Sequence, residues 1–392
     1  MTSAGLQFLP IEPEHNGRLY RLLRAIKPLR ATVGFVRGQF ERHRPRAWRL
    51  EGRDRMSGTP LVIIFAGHPE NKNYIAHLAF AYSPAEQSLG RRWLWRLVPP
   101  ERKQKSDAAD LRIVELHENQ RRWLGARFQF FVPVWIGSEL DLQRAVARLH
   151  RSKNARYELR RMRREETTCE VTRSREAFEY FYANMYLPYI KNRYGNRAFP
   201  MSHEDMMGKL GCSELLFVTV RGERVAGDIL LYEDDRARAW SAGVKDGDPS
   251  YVKAGAMRAL DYLRTQYLAE RGYKALHMGG SRPFLLDGVL RHKRELRARI
   301  SDHTKRYFSL SLTAGSAGAK AFIANNPFIY ENKGTYRGAI FIEPDLPLSQ
   351  ERLREFYDEY HMDGLAGLSL FDVRAGSEKQ LAQISGEFLD GR

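Results

Sequence analysis

Cysteine is almost absent. Cys169 and Cys212 are the only two in 392 residues, and their separation excludes the close spacing of a metal-ligand or redox pair, so reduced structural thiols are expected. No apolar run approaches the roughly 18–20 residues that a membrane-spanning helix needs. The start, Met1-Thr-Ser-Ala-Gly-Leu, lacks the basic-then-apolar pattern of a secretory leader, which makes the cytoplasm the expected compartment. There is no Walker lysine loop, no nucleophile-elbow serine and no His-Glu-x-x-His pair, and the histidines show no ligand spacing, so no metal is expected. Internal repeats and low-complexity segments are also missing. Acidic residues are in deficit: 47 Asp and Glu face 64 Lys and Arg, for a net charge of +17. That excess favours anionic partners such as CoA, an acidic carrier protein, tRNA or anionic lipid. An apolar share of 43% still supports folded cores, and the length suggests more than one domain.

Hydrophobic patterning gives the order of elements. Asn16 to Val33 has helical spacing until Pro28 interrupts it. Leu61 to Ala66 reads as a buried strand; Asn73 to Tyr82 fits either a strand or a helix. Leu111 to Leu116 and Phe128 to Ile136 read as strands, the second bent by Pro133. Gly137 to Asp141 reads as a connector, followed by a long basic helix from Leu140 to Glu166 and an aromatic-rich one from Glu176 to Tyr194. Leu215–Val220, Val225–Tyr232 and Ala237–Val244 form a meander, with Gly222 able to take positive φ in its first turn. Ala256 to Glu270 is helical in period, with Gly272 as its stop. Lys274 to Met278 is the next strand, and a basic helix follows Gly288. Tyr307–Leu312 and Tyr336–Ile342 look like closing strands, Ser349–Tyr360 a short helix, and Leu368–Val373 a final strand.

Several stretches between Arg151 and Ile300 carry a resemblance: the basic helix from Asn154 to Arg164, Arg224-Val-Ala-Gly-Asp-Ile-Leu-Leu-Tyr, Trp240-Ser-Ala-Gly, Lys253-Ala-Gly-Ala, Glu270 to Gly280 and Asp287 to Arg294. Together they resemble the acetyltransferase domain of the Fem-type and cellulose-biosynthesis-associated branch of the GNAT superfamily. The resemblance implies an α+β fold with tandem GNAT-like domains, built of mixed, largely antiparallel sheets flanked by helices. The expected spans are 1–145 for a degenerate first copy, 146–343 for the acyltransferase domain and 344–392 for a C-terminal extension. It also implies a donor pyrophosphate at a helix N-terminus after the fourth strand.

Each candidate residue has a plainer alternative. Lys253, Gly255 and Ala256 stand where backbone N–H groups and the helix dipole would receive that pyrophosphate, or else Gly255 is a simple cap. Val252 and Met257 depart from the superfamily's usual loop. Asp228, inside an apolar strand, could accept an amine proton or could be ion-paired with an arginine. His277 could be a general base or a hydrogen-bonded core histidine. Arg282, after Gly279-Gly280-Ser281, could clamp a carboxylate or phosphate, Asp287 could hold it or bind acceptor, and Lys293 belongs to a basic cluster with Arg291, Arg294, Arg297 and Arg299. Trp93 and Trp95 among arginines read as a membrane-surface or stacking patch, or as a buried helix face.

The expected reaction is transfer of an acyl group from acyl-CoA or an acyl-carrier protein to an amine of a small molecule or glycan precursor, with no tightly bound cofactor. Two other readings stay open. One is an aminoacyl-tRNA-dependent transferase; the other is a non-catalytic scaffold binding nucleic acid or an acidic protein.

Overall fold

The computed structural model describes residues 43–97, 109–151, 153–195, 200–233, 236–303, 305–343, 348–376 and 379–386. The helix expected over Asn16 to Val33 lies outside them.

The first half runs β1 (Arg46–Arg53), β2 (Pro60–Gly67), α1 (Pro69–Ala79), β3 (Ala85–Arg91), β4 (Leu111–His117), α2 (Glu118–Leu124) and β5 (Phe130–Pro133). Next come β6 (Ile136–Asp141), α3 (Leu142–Arg151), α4 (Lys153–Arg164), β7 (Thr167–Thr172), α5 (Arg175–Phe181) and α6 (Leu187–Tyr194). The meander is β8 (Ser213–Val220), β9 (Glu223–Glu233) and β10 (Arg236–Val244), followed by α7 (Ala256–Glu270), β11 (Ala275–Ser281), α8 (Gly288–Glu295) and β12 (Arg299–His303). The chain continues through β13 (Arg306–Leu312), α9 (Ala317–Asn325), β14 (Phe328–Asn332) and β15 (Thr335–Ile342), then α10 (Gln350–Tyr360), β16 (Leu368–Asp372) and β17 (Gln380–Ile384).

Among the described residues three sheets form, with orders β3-β1-β2-β4-β13-β5, β12-β6-β11-β10-β9-β8-β7 and β14-β15-β16-β17. Helices flank mixed, largely antiparallel sheets, as expected. The sheets do not follow the spans 1–145, 146–343 and 344–392. β6, from before residue 145, sits inside the second sheet between β12 and β11, while β13 crosses back into the first. β14 and β15 join β16 and β17 across residue 343. Pro133 ends the β5 ladder, so Phe128 to Ile136 is not one strand; the chain leaves the first sheet and enters the second at Ile136. The expected connector Gly137–Asp141 is therefore strand. The long basic helix is two helices, α3 and α4.

The second sheet positions the site. Arg221 and Gly222 both have positive φ, 50° and 82°, which matches the twist of the β8–β9 hairpin. One face of the sheet packs α7 and α3 through Leu216, Leu230, Ala237, Leu260, Leu268 and Leu276, all buried. Full burial of each leucine stabilises the fold by about 1.5–3 kcal/mol. The other face packs α5, a π-turn over Tyr182–Tyr186 and α6. Pro188 lies at the start of α6 and lacks the N–H that would continue a regular ladder. The π-turn presses on β10 at Gly243, where a Cβ would come within 2.7 Å of the Met185 carbonyl carbon.

Candidate functional site

β10 and β11 are parallel neighbours at only two positions, Ala237 with Leu276 and Arg238 with His277. Beyond that the strands part. β10 carries a bulge at Trp240, where its register with β9 shifts, and β11 shifts against β6 between His277 and Gly280. Bulges bend a strand and leave a residue out of the ladder. The facing edges, Trp240–Gly243 and Met278–Ser281, thus form the arms of a fork. Lys293, buried on α8, donates to the Gly279 carbonyl at 2.7 Å and fixes the lower arm.

At the base of the fork, Arg238, His277, Glu139 and Arg299 follow one another across β10, β11, β6 and β12 in direct register. Cross-strand partners share a face. A groove of about 640 Å³ opens there, lined by Glu139, Glu233, Arg238, Lys274, His277 and Ser301 among others. A second groove of about 440 Å³ shares Glu139, Lys274 and Ala275 with it and adds Arg144, Arg148, Arg297 and Arg299. The two make one trough in which arginines and Lys274 outnumber the carboxylates Glu139, Asp141, Glu233 and Asp363, with Glu139 common to both grooves. Arg156, Arg160 and Arg163 of the basic helix α4 line neither groove.

His277 accepts a hydrogen bond at Nδ1 from the Gly279 N–H, 3.1 Å away. Its lone pair there is engaged, and a neutral ring then carries its proton on Nε2. Nε2 itself is buried, so neither ring nitrogen is placed as an open base.

Asp228 lies on the opposite face, beneath α7. It is 1% exposed and pairs with Arg264 Nη1 at 2.6 Å. Arg264 also donates to Asp261 at 2.5 Å, and His292 Nε2 lies 2.9 Å from the other Asp261 oxygen. Burial pushes the Asp228 carboxyl up, against the pull of the Arg264 guanidinium. The hydrogen bond to Asp261 holds His292 above the ordinary histidine range. Of the two readings of Asp228, this geometry is that of the ion-paired carboxylate.

At the mouth of α7, Gly255 is left-handed at φ 90° and buried, and Ala256 opens the helix. Lys253 is exposed at the end of the turn before it. The Arg161 guanidinium of α4 lies against Gly255 where a Cβ would stand. Arg161 is held by Glu158 at 2.8 Å, and Glu158 also pairs with Arg258 at 3.0 Å.

Arg282 is stacked between the rings of Trp135 and Tyr74, 3.9 and 4.4 Å from their centroids, and donates to the Val134 carbonyl. Burial lowers its affinity for the proton. It joins α1 of the first half to the second sheet. Asp287 caps α8, accepting from the N–H groups of Val289 and Leu290; burial raises its carboxyl.

The fork thus collects His277 and, through Gly279, Lys293. Gly255 and Lys253 stand at a separate helix mouth, Arg282 and Asp287 at the junction of the halves, and Asp228 under α7. Sequence reading missed Glu139, Arg161 and Arg264. The alternation of buried Ile136, Ser138 and Leu140 was the available signal for the first; Asp261 and Arg264, three apart on the buried side of α7, were the signal for the last.

Residues 150–294 match a family model described as an acetyltransferase (GNAT) domain. No curated protein matches the chain. Among solved structures, L-PGS from Bacillus licheniformis is similar at 17% identity, covering 59% of this chain and 68% of that one, with a TM-score of 0.29. FemX is similar at 11% identity over 67% and 83%, with a TM-score of 0.35. A GCN5-related N-acetyltransferase from Sphaerobacter thermophilus is similar at 12% over 67% and 74%, TM-score 0.30. Scores this low carry no argument about function.

Proposed function

We propose, from the premise that residues 150–294 are a GNAT-type N-acyltransferase domain, that the fork between β10 and β11 receives an acyl thioester and passes its acyl group to an amine lying in the basic trough. The observation that carries this reading is the parting of β10 and β11 beyond the Arg238–His277 pair, the last paired position, which also lines the groove with Glu139. Unpaired backbone along the arms can hold the donor as an added strand would, and the bulge at Trp240 frees a backbone donor for the carbonyl oxygen.

The amine nitrogen attacks the thioester carbon, the carbon–sulfur bond breaks, and the thiolate leaves. Glu139 accepts the amine proton, and the backbone donor at the Trp240 bulge meets the developing charge. A thioester is activated enough for positioning to supply much of the rate. The donor is acyl-CoA or an acyl-carrier protein. Its phosphates would sit at the Gly255–Ala256 helix mouth, where Arg161 exchanges Glu158 for the donor and Lys253 adds charge. The first sheet is taken as a degenerate copy of the second. The trough's cations favour an acceptor that carries an anionic group beside its amine, a small molecule or a glycan precursor.

A second reading, aminoacyl-tRNA as donor, is favoured by the continuity of the two grooves from Arg238 to Arg148, which suits a long anion. Calorimetric titration with acetyl-CoA, a long-chain acyl-CoA and aminoacylated tRNA separates them. Saturable CoA binding that is lost in Gly255→Glu supports the thioester donor. Silence toward CoA with binding of tRNA only when aminoacylated moves the donor to the second class. Binding of tRNA regardless of charging refutes both and leaves a scaffold.

A further inference from the structure

A surface of the first half, remote in sequence from the fork, has its own chemistry. Trp123 at the end of α2 is 88% exposed, and Trp95 in the short helix Leu94–Leu97 is 52% exposed. Indoles are among the side chains with most to gain from burial. The two flank one open groove of about 510 Å³ whose other walls include Leu94 and Leu124. Trp95 is also stacked on Trp93 at 4.5 Å, which gives it a fixed direction. The segments carrying these indoles are rich in arginine, with Glu118 at the start of α2 as the one acid adjoining them. Ser88 to Leu97 contains Arg91, Arg92 and Arg96 with no acid, and Asn119 to Phe128 contains Arg121, Arg122 and Arg127 with no acid. Arg92, Arg96 and Arg122 are exposed beside the tryptophans.

We infer that this patch docks the protein on an anionic phospholipid surface, with Trp95 and Trp123 entering the headgroup layer and the arginines pairing with lipid phosphates. Two properties favour a bilayer. Tryptophan has an apolar body and a polar N–H and settles at the boundary between acyl chains and water. A polar rim of one sign around an apolar centre is complementary to a negatively charged leaflet. A nucleic-acid strand would instead track a continuous basic groove with stacked bases; here leucines form part of the wall. No helix of the described residues is long and apolar enough to cross a membrane, so the contact inferred is a peripheral one.

Vesicle flotation tests this with the full chain. The probes are vesicles of one part phosphatidylglycerol to two parts phosphatidylcholine, and vesicles of phosphatidylcholine alone. Wild type is expected to float with the anionic vesicles and to stay in solution with the neutral ones. Trp95→Ala with Trp123→Ala should weaken the binding at least about tenfold, and Arg96→Gln or Arg122→Gln about fivefold each at low salt. Both indoles are exposed, so the thermal midpoint should stay at the wild-type value, and unfolding of the double variant is read alongside. Absence of flotation, equal binding to neutral vesicles, or full retention by the double tryptophan variant overturns the inference. So does the outcome in which wild type ignores vesicles and the double variant loses affinity for uncharged tRNA, which would make the patch a nucleic-acid surface.

Discussion

Arg264→Met removes the one cation that lies between two buried carboxylates. Asp228 and Asp261 are 1% and 8% exposed at their side chains, and Arg264 itself is 6% exposed. Methionine fills similar volume but leaves Asp228 without its counter-charge and Asp261 with His292 alone. Breaking a buried pair by removing one partner costs about 3–5 kcal/mol, because the remaining charge stays desolvated. The loss should depend on pH, and the sign follows from linkage. Without Arg264, burial raises the folded-state affinity of the Asp228 carboxyl for protons further above that of the unfolded chain. The folded variant then binds more protons, so its stability is greatest below the unfolded carboxylate range and falls as pH rises through the raised folded value. Urea unfolding of wild type and variant at pH 5 and pH 7.5, followed by tryptophan fluorescence, is the assay. A larger destabilisation at pH 7.5 is expected, and Asp228→Asn added to Arg264→Met should restore part of it. A loss under about 1 kcal/mol that is the same at both pH values refutes the account of Asp228 as a structural ion.

Glu139→Gln should lower kcat about 10²–10⁴-fold with little change in KM for the thioester, measured by thiol release; an unchanged kcat removes Glu139 as proton acceptor. Arg161→Gln should weaken acetyl-CoA binding by about tenfold in calorimetry, whereas tighter binding would show that Arg161 obstructs the helix mouth. His292 gains affinity for the proton from Asp261, so its contribution to stability is full below the ordinary histidine range and is lost as pH rises through its raised folded value. His292→Asn should flatten that part of the pH–Tm curve. A fragment of residues 146–343 lacks β6 and should show no cooperative unfolding by circular dichroism; a sharp transition would refute the interlock of the halves.

What the sequence made legible was local. Ala256 to Glu270 emerges from its 3.6-residue period and its flanking glycines, and its observed bounds are those expected. The meander followed from short apolar runs and from Arg221-Gly222. Partners distant in the chain were not legible. Glu139 pairs across the sheet with His277 and Arg299, and nothing within Ile136-Gly-Ser-Glu-Leu-Asp states that; two small residues and a preceding proline made it look like a connector. A carboxylate in an apolar strand demands a partner, so Asp228 is legible as a candidate base or as one half of an ion pair with an arginine, though which arginine is not legible. The partner is Arg264, on a helix whose period is set by apolar residues and gives no sign that an arginine is buried among them. Asp287 likewise has a local duty as a helix cap.

The exchange of β6 and β13 explains why the halves depend on each other. β6 supplies the trough with its carboxylate and separates β11 from β12, so the second sheet is incomplete without a strand that precedes its first helix. Arg282 adds a second tie, its guanidinium held between Trp135 at the entry to β6 and Tyr74 of α1. Both ties converge on the lower arm of the fork, where Gly280 lies so close to Trp135 that a Cβ would come within 3.3 Å of its ring. The Trp135 ring thus leaves little room for a side chain at Gly280, and the lower arm is packed against the entry to β6. The first half is bound in this way to the lower arm of the fork, through β6 and through Arg282.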